Sequence, residues 1–428
     1  MNNKIAVIGQ GYVGLPLSIM LVEKGYDVIG IDLDEAKITS LNKAKSYIGD
    51  ITDNRLQKAN LSNRFKATTN FDELLVVDTI IICVPTPLTT EHKPDLRFIV
   101  SAGEAIQKRL QKGQLVILES STFPGTTKEV LLPILEKSGL KVGIDFYLAN
   151  SPERIDPGNK KYKVDEIPKV VGGITDECKN KALSLYGDIY QKVVPVSTSE
   201  AAELTKLLEN TYRFINISFI NEMAILSDML NTDIWEVIEA AATKPYGFTP
   251  YYPGPGIGGH CIPVDPLYLQ WKLQQLNTSS EFILLSDSTN QKIIDYIVNR
   301  TEEMLGDQKP FDSSTILIYG ITYKKDVADT RDSPSLLIID KLKQKGANVL
   351  YHDPYIPSIK IGDELFTSVD LTDSLLSQSD CVVILADHSK IPLEQILTHA
   401  SLVFDTRNVT GTFEGNARVI KLGDGLKI

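Results

Sequence analysis

Lys4-Ile5-Ala6-Val7-Ile8-Gly9-Gln10-Gly11-Tyr12-Val13-Gly14 is followed by an apolar helical pattern to about Glu23, then by Tyr26-Asp27-Val28-Ile29-Gly30-Ile31-Asp32. The two short apolar runs have the composition of buried parallel strands. The glycines between them are spaced GxGxxG, and the second run ends on an acid. Strand, glycine turn, helix, strand, acid is the order of a dinucleotide-binding βαβ unit. Gly9, Gly11 and Gly14, with Tyr12 and Val13 between them, allow a tight turn and close approach of a pyrophosphate to a helix N-terminus. Asp32 is placed to accept from both hydroxyls of an adenine ribose and would repel a 2′-phosphate. NAD is therefore expected as the cofactor, rather than NADP. The spacing alone is weak; the complete order is specific. A nucleotide-free structural Rossmann domain is the competing reading.

The alternation continues. Thr79–Val84 runs into Pro85-Thr86-Pro87, Gln114–Glu119 into Ser120-Ser121-Thr122-Phe123-Pro124-Gly125-Thr126, and Tyr147–Asn150 into Ser151-Pro152-Glu153-Arg154. Ligands of open α/β sheets lie beyond the carboxyl ends of the strands, which singles out Thr86, Thr122, Glu153 and Arg154. From about Thr198 to Leu230 the pattern is helical, enough for one helix of about 50 Å. Lys206, Asn210 and Arg213 fall at i, i+4 and i+7 and share a face. A solvated charged face is the ordinary explanation, but Leu204, Leu207, Leu208 and Ile215 argue that much of the helix is covered. Shorter helices are expected at about 232–242, 264–275 and 281–305. Near Gln308-Lys309-Pro310 a second α/β pattern begins, with strands at Thr315–Tyr319, Ala347–Asp353, Cys381–Leu385 and Leu402–Asp405. Ser333 as N-cap and Pro334 at the first helical position start a helix behind the basic run Lys324-Lys325 and Arg331, an arrangement suited to an anion. This half lacks GxGxxG. The fold class expected is α/β: two Rossmann-like doubly wound domains, 1–198 and 307–428, joined by a long central helix and a helical middle domain, 199–306.

A net charge of −11 over 428 residues argues against a general nucleic-acid or anionic-membrane binder. No apolar run is long enough to span a bilayer, and the residues before Lys4 show no signal-peptide pattern. The four cysteines, Cys83, Cys178, Cys261 and Cys381, are far apart with no CxxC spacing. No metal site or disulfide framework is expected, and a reducing cytoplasm fits. Cys83, Cys178 and Cys381 read as core. Cys261 does not. It sits in Gly254-Pro255-Gly256-Ile257-Gly258-Gly259-His260-Cys261-Ile262-Pro263-Val264-Asp265, where four glycines and two prolines exclude helix and strand. The plain reading is a turn with an incidental thiol, yet the glycines clear side chains from around the sulfur. Cys261 is therefore a candidate covalent catalyst, with Asp265 four residues on to hold a water or an ammonium.

Taken together, Gly9–Gly14, Ser120-Ser121-Thr122 with Pro124-Gly125-Thr126, Ser151–Arg154, Lys206 with Asn210, Gly258-Gly259-His260-Cys261 and Lys324 through Arg331 resemble the UDP-glucose/GDP-mannose dehydrogenase family over almost the whole chain. The resemblance is greatest to bacterial UDP-N-acetylglucosamine 6-dehydrogenases of surface-polysaccharide pathways. It implies two successive NAD-dependent oxidations at the sugar C6, alcohol to aldehyde to acid. The implied catalytic set is Cys261 as nucleophile, Lys206 and Asn210 at the developing oxyanion, Asp265 positioning Lys206 or water, Thr122 near the reacting carbon and Glu153 activating water. The implied cofactor contacts are Gly9, Gly11, Tyr12, Val13, Gly14, Asp32, Lys37, Thr86, Thr122 and Arg331. The implied contacts for a UDP-sugar, bound by the C-terminal domain, are Glu153, Arg154, Lys206, Asn210, Arg213, Gly258 and Lys324. His260 is expected to point away from the chemistry. The loop reads GPGxGGHC, as in N-acetylhexosamine enzymes, and Thr243–Tyr252 lacks the His and Arg of the mannosamine branch, leaving Lys244 as a substitute. A homodimer built on the long helix is expected. The competing functions are a UDP-glucose or UDP-N-acetylgalactosamine 6-dehydrogenase, a single-hydride hydroxyacid dehydrogenase using Lys206 without the cysteine, and a catalytically silent nucleotide sensor.

Overall fold

The computed structural model describes residues 4–49, 51–89, 91, 93–155, 162–306, 309–411, 413 and 415–426. Two compact units emerge. One comprises the residues up to Asn210 with Val264–Ser279; the other comprises Thr211–Pro263 with the residues from Ser280 onward.

The first unit is built on an eight-stranded sheet: β1 (Lys4–Ile8), β2 (Asp27–Ile31), β3 (Phe65–Thr68), β4 (Thr79–Ile82), β5 (Leu115–Leu118), β6 (Tyr147–Asn150), β7 (Lys169–Gly173) and β8 (Val193–Pro195), in the order β3-β2-β1-β4-β5-β6-β7-β8. Every pair is parallel except β6 with β7. Residues in β1, β4 and β5 are apolar on both faces because helices cover both. The helix Gly14–Glu23 is almost wholly buried. Leu15, Leu17, Ile19 and Leu21 are fully covered, each contributing about 1.5–3 kcal/mol of transfer free energy. The strand order reverses between β1 and β4, so a crevice opens above Gly9 at the switch point.

The second unit carries β9 (Thr315–Tyr319), β10 (Asn348–His352), β13 (Cys381–Ile384), β14 (Leu402–Asp405) and β15 (Arg418–Lys421) in the all-parallel order β10-β9-β13-β14-β15, plus an antiparallel hairpin of β11 (Ser358–Ile361) and β12 (Glu364–Thr367). It repeats the Rossmann logic: the Gly320 amide donates to His352 O as the Gly9 amide donates to Ile31 O. The α/β class and the two Rossmann-like sheets match the sequence reading. Of the two expected segment boundaries, 198/199 and 306/307, the second abuts Asp307 and Gln308, which lie outside the described residues.

The long helix is Ser199–Leu230, and shorter helices occupy Ile234–Ala242, Asp265–Gln275 and Glu281–Leu305. Its burial inverts the expected pattern in part. Lys206 and Asn210 are buried and Leu207 is fully covered, whereas Leu204 and Leu208 are 43% and 66% exposed. With Tyr212, Phe219, Leu226, Met229 and Leu230, those leucines make an exposed apolar stripe. Ser333 does occupy the cap position before the helix Pro334–Gln344, but its hydroxyl makes no capping bond and is buried without a partner among the described residues. No helix among the described residues is long and apolar enough to cross a membrane.

Candidate active site

Within the first unit, the turn after β1 is shaped by what a side chain would strike. A Cβ on Gly14 would lie 1.8 Å from Gly9 O, and one on Gly9, at φ +93°, would lie 2.4 Å from Cys83 O. These two glycines let the turn close on itself. Gly11 differs: nothing lies within 4 Å of its Cβ position. A pyrophosphate approaching the start of the helix Gly14–Glu23 needs such open space. Tyr12 is 38% exposed in this turn. Asp32 accepts from the Gln10 amide at 2.8 Å and the Asp34 amide at 3.0 Å, which fixes its carboxylate at the end of β2. Lys37 Nζ stands 3.5 Å from Asp32 Oδ2. The residues present fit a dinucleotide with a free ribose 2′-hydroxyl. Asp32→Ala is expected to narrow the NAD/NADP preference sharply. It removes the repelling carboxylate and leaves Lys37 free to meet a 2′-phosphate. Comparable kcat/KM values for the two cofactors in the wild-type enzyme would sink this reading of Asp32.

The carboxyl edge of the same sheet gathers most of the expected catalytic residues. Asn210 Nδ2 donates to Asp265 Oδ2 at 2.6 Å, and Asp265 is only 2% exposed. Burial pushes the Asp265 carboxyl up to about 6, opposed by the Lys206 charge and the Asn210 hydrogen bond. Lys206, 8% exposed, acts electrostatically on both Asp265 and Glu153. One turn before Lys206, Glu203 accepts from the amides of Gly125 (2.6 Å) and Thr127 (2.8 Å) and from Thr127 Oγ1 (2.6 Å). This buried carboxylate ties the loop after β5 to the helix that carries Lys206, and burial pushes it up to about 7 against those hydrogen bonds. The loop so held presents Thr122, whose hydroxyl is buried without a partner among the described residues. An orphaned buried hydroxyl costs roughly 1–3 kcal/mol and suits a site that a ligand completes.

Glu153 follows β6. Its Oε1 accepts from the Arg154 and Ile155 amides, both at 2.6 Å, and its Oε2 lies 3.1 Å from Lys169 Nζ. Burial works to raise this carboxyl, but the Lys169 charge and these hydrogen bonds outweigh it and hold Glu153 below the usual carboxylate range. Arg154 is committed to Glu209 (2.6 and 3.2 Å) and to Pro168 O (2.6 Å). Thr86 is buried, and its carbonyl accepts from the Tyr268 hydroxyl, which anchors the helix Asp265–Gln275 over the loop after β4.

The second unit holds the rest. Cys261 is exposed, unlike Cys83, Cys178 and Cys381. The loop before it is immobilised: the Gly254 amide donates to Asn221 Oδ1 at 2.9 Å, the Ile257 amide to Asn290 Oδ1 at 2.7 Å, and the Gly259 amide to Arg331 O at 3.0 Å. A Cβ on Gly258 would lie 2.6 Å from Asp332 O and 2.9 Å from Tyr323 Cβ. The sequence reading took the glycines as clearing space around the sulfur. Gly258 instead packs against its own domain, so its smallness is spent on fixing the loop. His260 is partly buried, and burial together with the Arg331 charge holds its imidazole below the ordinary value. The Arg331 guanidinium is forked onto Asp329. Arg213 is exposed near Tyr251, and Lys324 is partly buried.

Sequence reasoning missed four residues. Gln10, whose backbone amide holds Asp32 and whose side chain braces the turn on Val7 O and Ser18, lies inside the glycine motif as an unspecified position. Glu203 sits one helical turn from Lys206 with nothing to distinguish it from a surface acid. Lys169 opens β7, a strand the sequence reading did not mark. Arg407, after β14, is partly buried with its guanidinium against Gly254, 2.6 Å from where a Cβ would lie. Its only signal was an arginine at the carboxyl end of an apolar strand. No group of three or more His, Cys, Asp or Glu among the described residues is arranged to hold a metal ion.

The glycine turn with Asp32 at the end of β2 has the form of the cofactor site of an NAD-dependent dehydrogenase. The comparisons agree. Residues 3–193 match the NAD-binding domain of the UDP-glucose/GDP-mannose dehydrogenase family, 200–292 its central domain and 317–412 its UDP-binding domain. The chain belongs to this family of NAD-dependent UDP-sugar dehydrogenases. It is 36% identical to Protein CapL of Staphylococcus aureus, over 97% of this chain and 98% of that one. It is 37% identical to the UDP-N-acetyl-D-glucosamine 6-dehydrogenase of Pseudomonas aeruginosa, over 82% and 83%. Among solved structures, the UDP-D-ManNAc dehydrogenase of Pyrococcus horikoshii superposes with a TM-score of 0.90 at 30% identity, covering 99% of each chain.

Proposed function

We propose that the enzyme oxidises the C6 hydroxyl of a UDP-N-acetylhexosamine, UDP-N-acetylglucosamine foremost, through the aldehyde to the uronic acid, for surface-polysaccharide synthesis in the cytoplasm. The observation that carries the reading is Lys206, buried and coupled to Asp265 and Glu153, in a chain that also exposes Cys261 from a rigid glycine loop. NAD+, when bound, accepts the hydride at each oxidation. Lys206 and Asn210 stabilise the developing C6 oxyanion. Cys261 adds to the aldehyde, because an aldehyde has no good hydride to give until a nucleophile has added, and the next oxidation leaves a thioester on its sulfur. Glu153 takes a proton from the water that hydrolyses it. Thr122, Thr86, Lys37 and Arg331 serve the cofactor; Arg154, Arg213, Gly258 and Lys324 serve the UDP-sugar. The proposed activity divides the chain into three functional segments, 1–198 for NAD, 199–306 for the long helix and the Cys261 loop, and 307–428 for the UDP-sugar.

The glucosamine assignment rests on the Gly254–Cys261 loop, on Thr243–Tyr252 and on the Pseudomonas relative. The Pyrococcus neighbour favours the mannosamine epimer, so the decisive measurement is a panel of initial rates. UDP-N-acetylglucosamine should exceed UDP-N-acetylmannosamine, UDP-N-acetylgalactosamine and UDP-glucose by at least roughly tenfold, the worth of about 1.4 kcal/mol of differential contact. A preference for any of the other three overturns the assignment.

The apolar stripe on the long helix supports a homodimer. Contiguous exposed apolar surface of this kind marks an interface. A monomer by light scattering at micromolar concentration would refute it.

A further inference from the structure

Lys169 has no part in the reaction steps assigned so far, yet its side chain is among the most buried charges of the described residues. Its side chain is 3% exposed, with Nζ 2.8 Å from Glu119 Oε2 and 3.1 Å from Glu153 Oε2. It also stands 5.4 Å from the ring centroids of both Tyr186 and Tyr190. The topology explains how it comes to be there. β7 is the one strand antiparallel to its neighbour β6, pairing Asn150 with Gly172. Its first residue therefore falls beyond the carboxyl end of β6, where Glu153 emerges, while Glu119 arrives from the end of β5.

We propose that Lys169 is a positioning residue for the second half-reaction: it holds the Glu153 carboxylate in one orientation and balances its charge, with Glu119 as the site that carries the spare proton. This rests on the proposed role of Glu153 in activating water. An ionised carboxylate has about four lone-pair directions. The Arg154 and Ile155 amides and Lys169 take three. Among the described residues no donor takes the fourth, on Oε2, which suits a water. Two buried carboxylates sharing one ammonium carry an uncompensated negative charge unless one is protonated. Among the described residues the Glu119 carboxyl meets only Lys169 and the Tyr186 hydroxyl, and burial pushes it up to about 7. Glu153, with more donors, stays ionised. The charged and titratable groups among the described residues that face this pair are Lys169 from β7, Lys206 from the long helix, Tyr186 from the helix Asp176–Gly187, Tyr190 just after it, and Cys83 from the end of β4.

The test follows Glu153 itself, by infrared difference spectra in which Glu153→Gln identifies its carboxylic-acid C=O band. In the wild-type enzyme that band should be absent from pH 5.5 to 8, values chosen to bracket roughly the ordinary physiological range. In Lys169→Met it should appear with a midpoint inside that range, and Lys169→Arg should remove it again. In parallel, Lys169→Met should accumulate acyl-enzyme on Cys261 at pH 6.5 and release it at least about tenfold faster at pH 8. A Glu153 band in the wild-type enzyme near neutral pH overturns the proposal even if Lys169→Met does not fold, and so does an absent band in a folded Lys169→Met. The functional reading fails separately: if Glu153→Gln turns over at the wild-type rate, Glu153 does not activate water, whatever the spectra show.

Discussion

Cys261→Ser should lose turnover to the acid by roughly a thousandfold or more, as loss of a covalent nucleophile does, while the protein stays folded. The fold should survive because Cys261 is exposed, and exposed substitutions usually change stability by less than about 0.5 kcal/mol. The loop is fixed by the Gly254, Ile257 and Gly259 amides and by the packing of Gly258 on Tyr323 and Pro334. The first oxidation does not need the thiol, so its NADH should still appear. A serine hydroxyl gives up its proton far less readily than a thiol with a pKa of about 8.5, and an ester hydrolyses more slowly than a thioester. The variant should stall, and intact mass spectrometry should find one uronosyl-nucleotide added at residue 261. The wild-type enzyme should give two NADH per sugar and release no free aldehyde. Near wild-type conversion to the acid by Cys261→Ser or Cys261→Ala would make the cysteine structural and return the single-hydride reading to first place.

The sequence was most legible where one residue type has one physical use. The glycine turn, the acid ending β2 and the apolar strands of both sheets follow from spacing and composition, because a buried parallel strand tolerates little else. The long helix was found to within a residue at its start, because a breaker-free periodic run of that length has no other solution. Its covering was not. Leucines predict burial, but the buried stretch is decided by which neighbours arrive, and Lys206 and Asn210 are covered while Leu208 is exposed. Lys169, Glu119 and Glu203 were illegible for a related reason. Each acquires its partners across 16 to 78 residues of sequence, and no local pattern separates a buried shared ion from a surface one. Asp265 was noticed only by its distance from Cys261; its bond to Asn210 spans 55 residues.

Lys206→Ala should act earlier in the reaction than the cysteine substitution. Removing a preorganised donor to a developing oxyanion costs roughly a hundredfold or more in rate. The loss should fall on the first oxidation, so no burst of NADH should precede the slow steady state. Because the contact strengthens only as charge develops, kcat should fall with little change in KM. A second signature comes from Asp265. Its folded carboxyl lies at about 6, above the ordinary value of 3.8, because burial exceeds what Lys206 and Asn210 return. A carboxyl raised in the folded state favours folding when protonated. Its contribution is therefore fully present below pH 3.8 and is lost as pH rises through about 6. Without Lys206 the charged form has only Asn210 to meet it. The carboxyl should rise further, and the decline in stability should deepen and extend to higher pH. Thermal melts of the variant and the wild-type enzyme should therefore agree at acidic pH and diverge above neutrality. Asp265→Asn in the Lys206→Ala background should reduce the divergence, leaving the smaller part that Lys206 exerts on Glu153. If single Lys206→Ala kept its NADH burst and its melts ran parallel to the wild type at every pH, Lys206 would be neither the oxyanion donor nor the partner that makes a buried Asp265 tolerable.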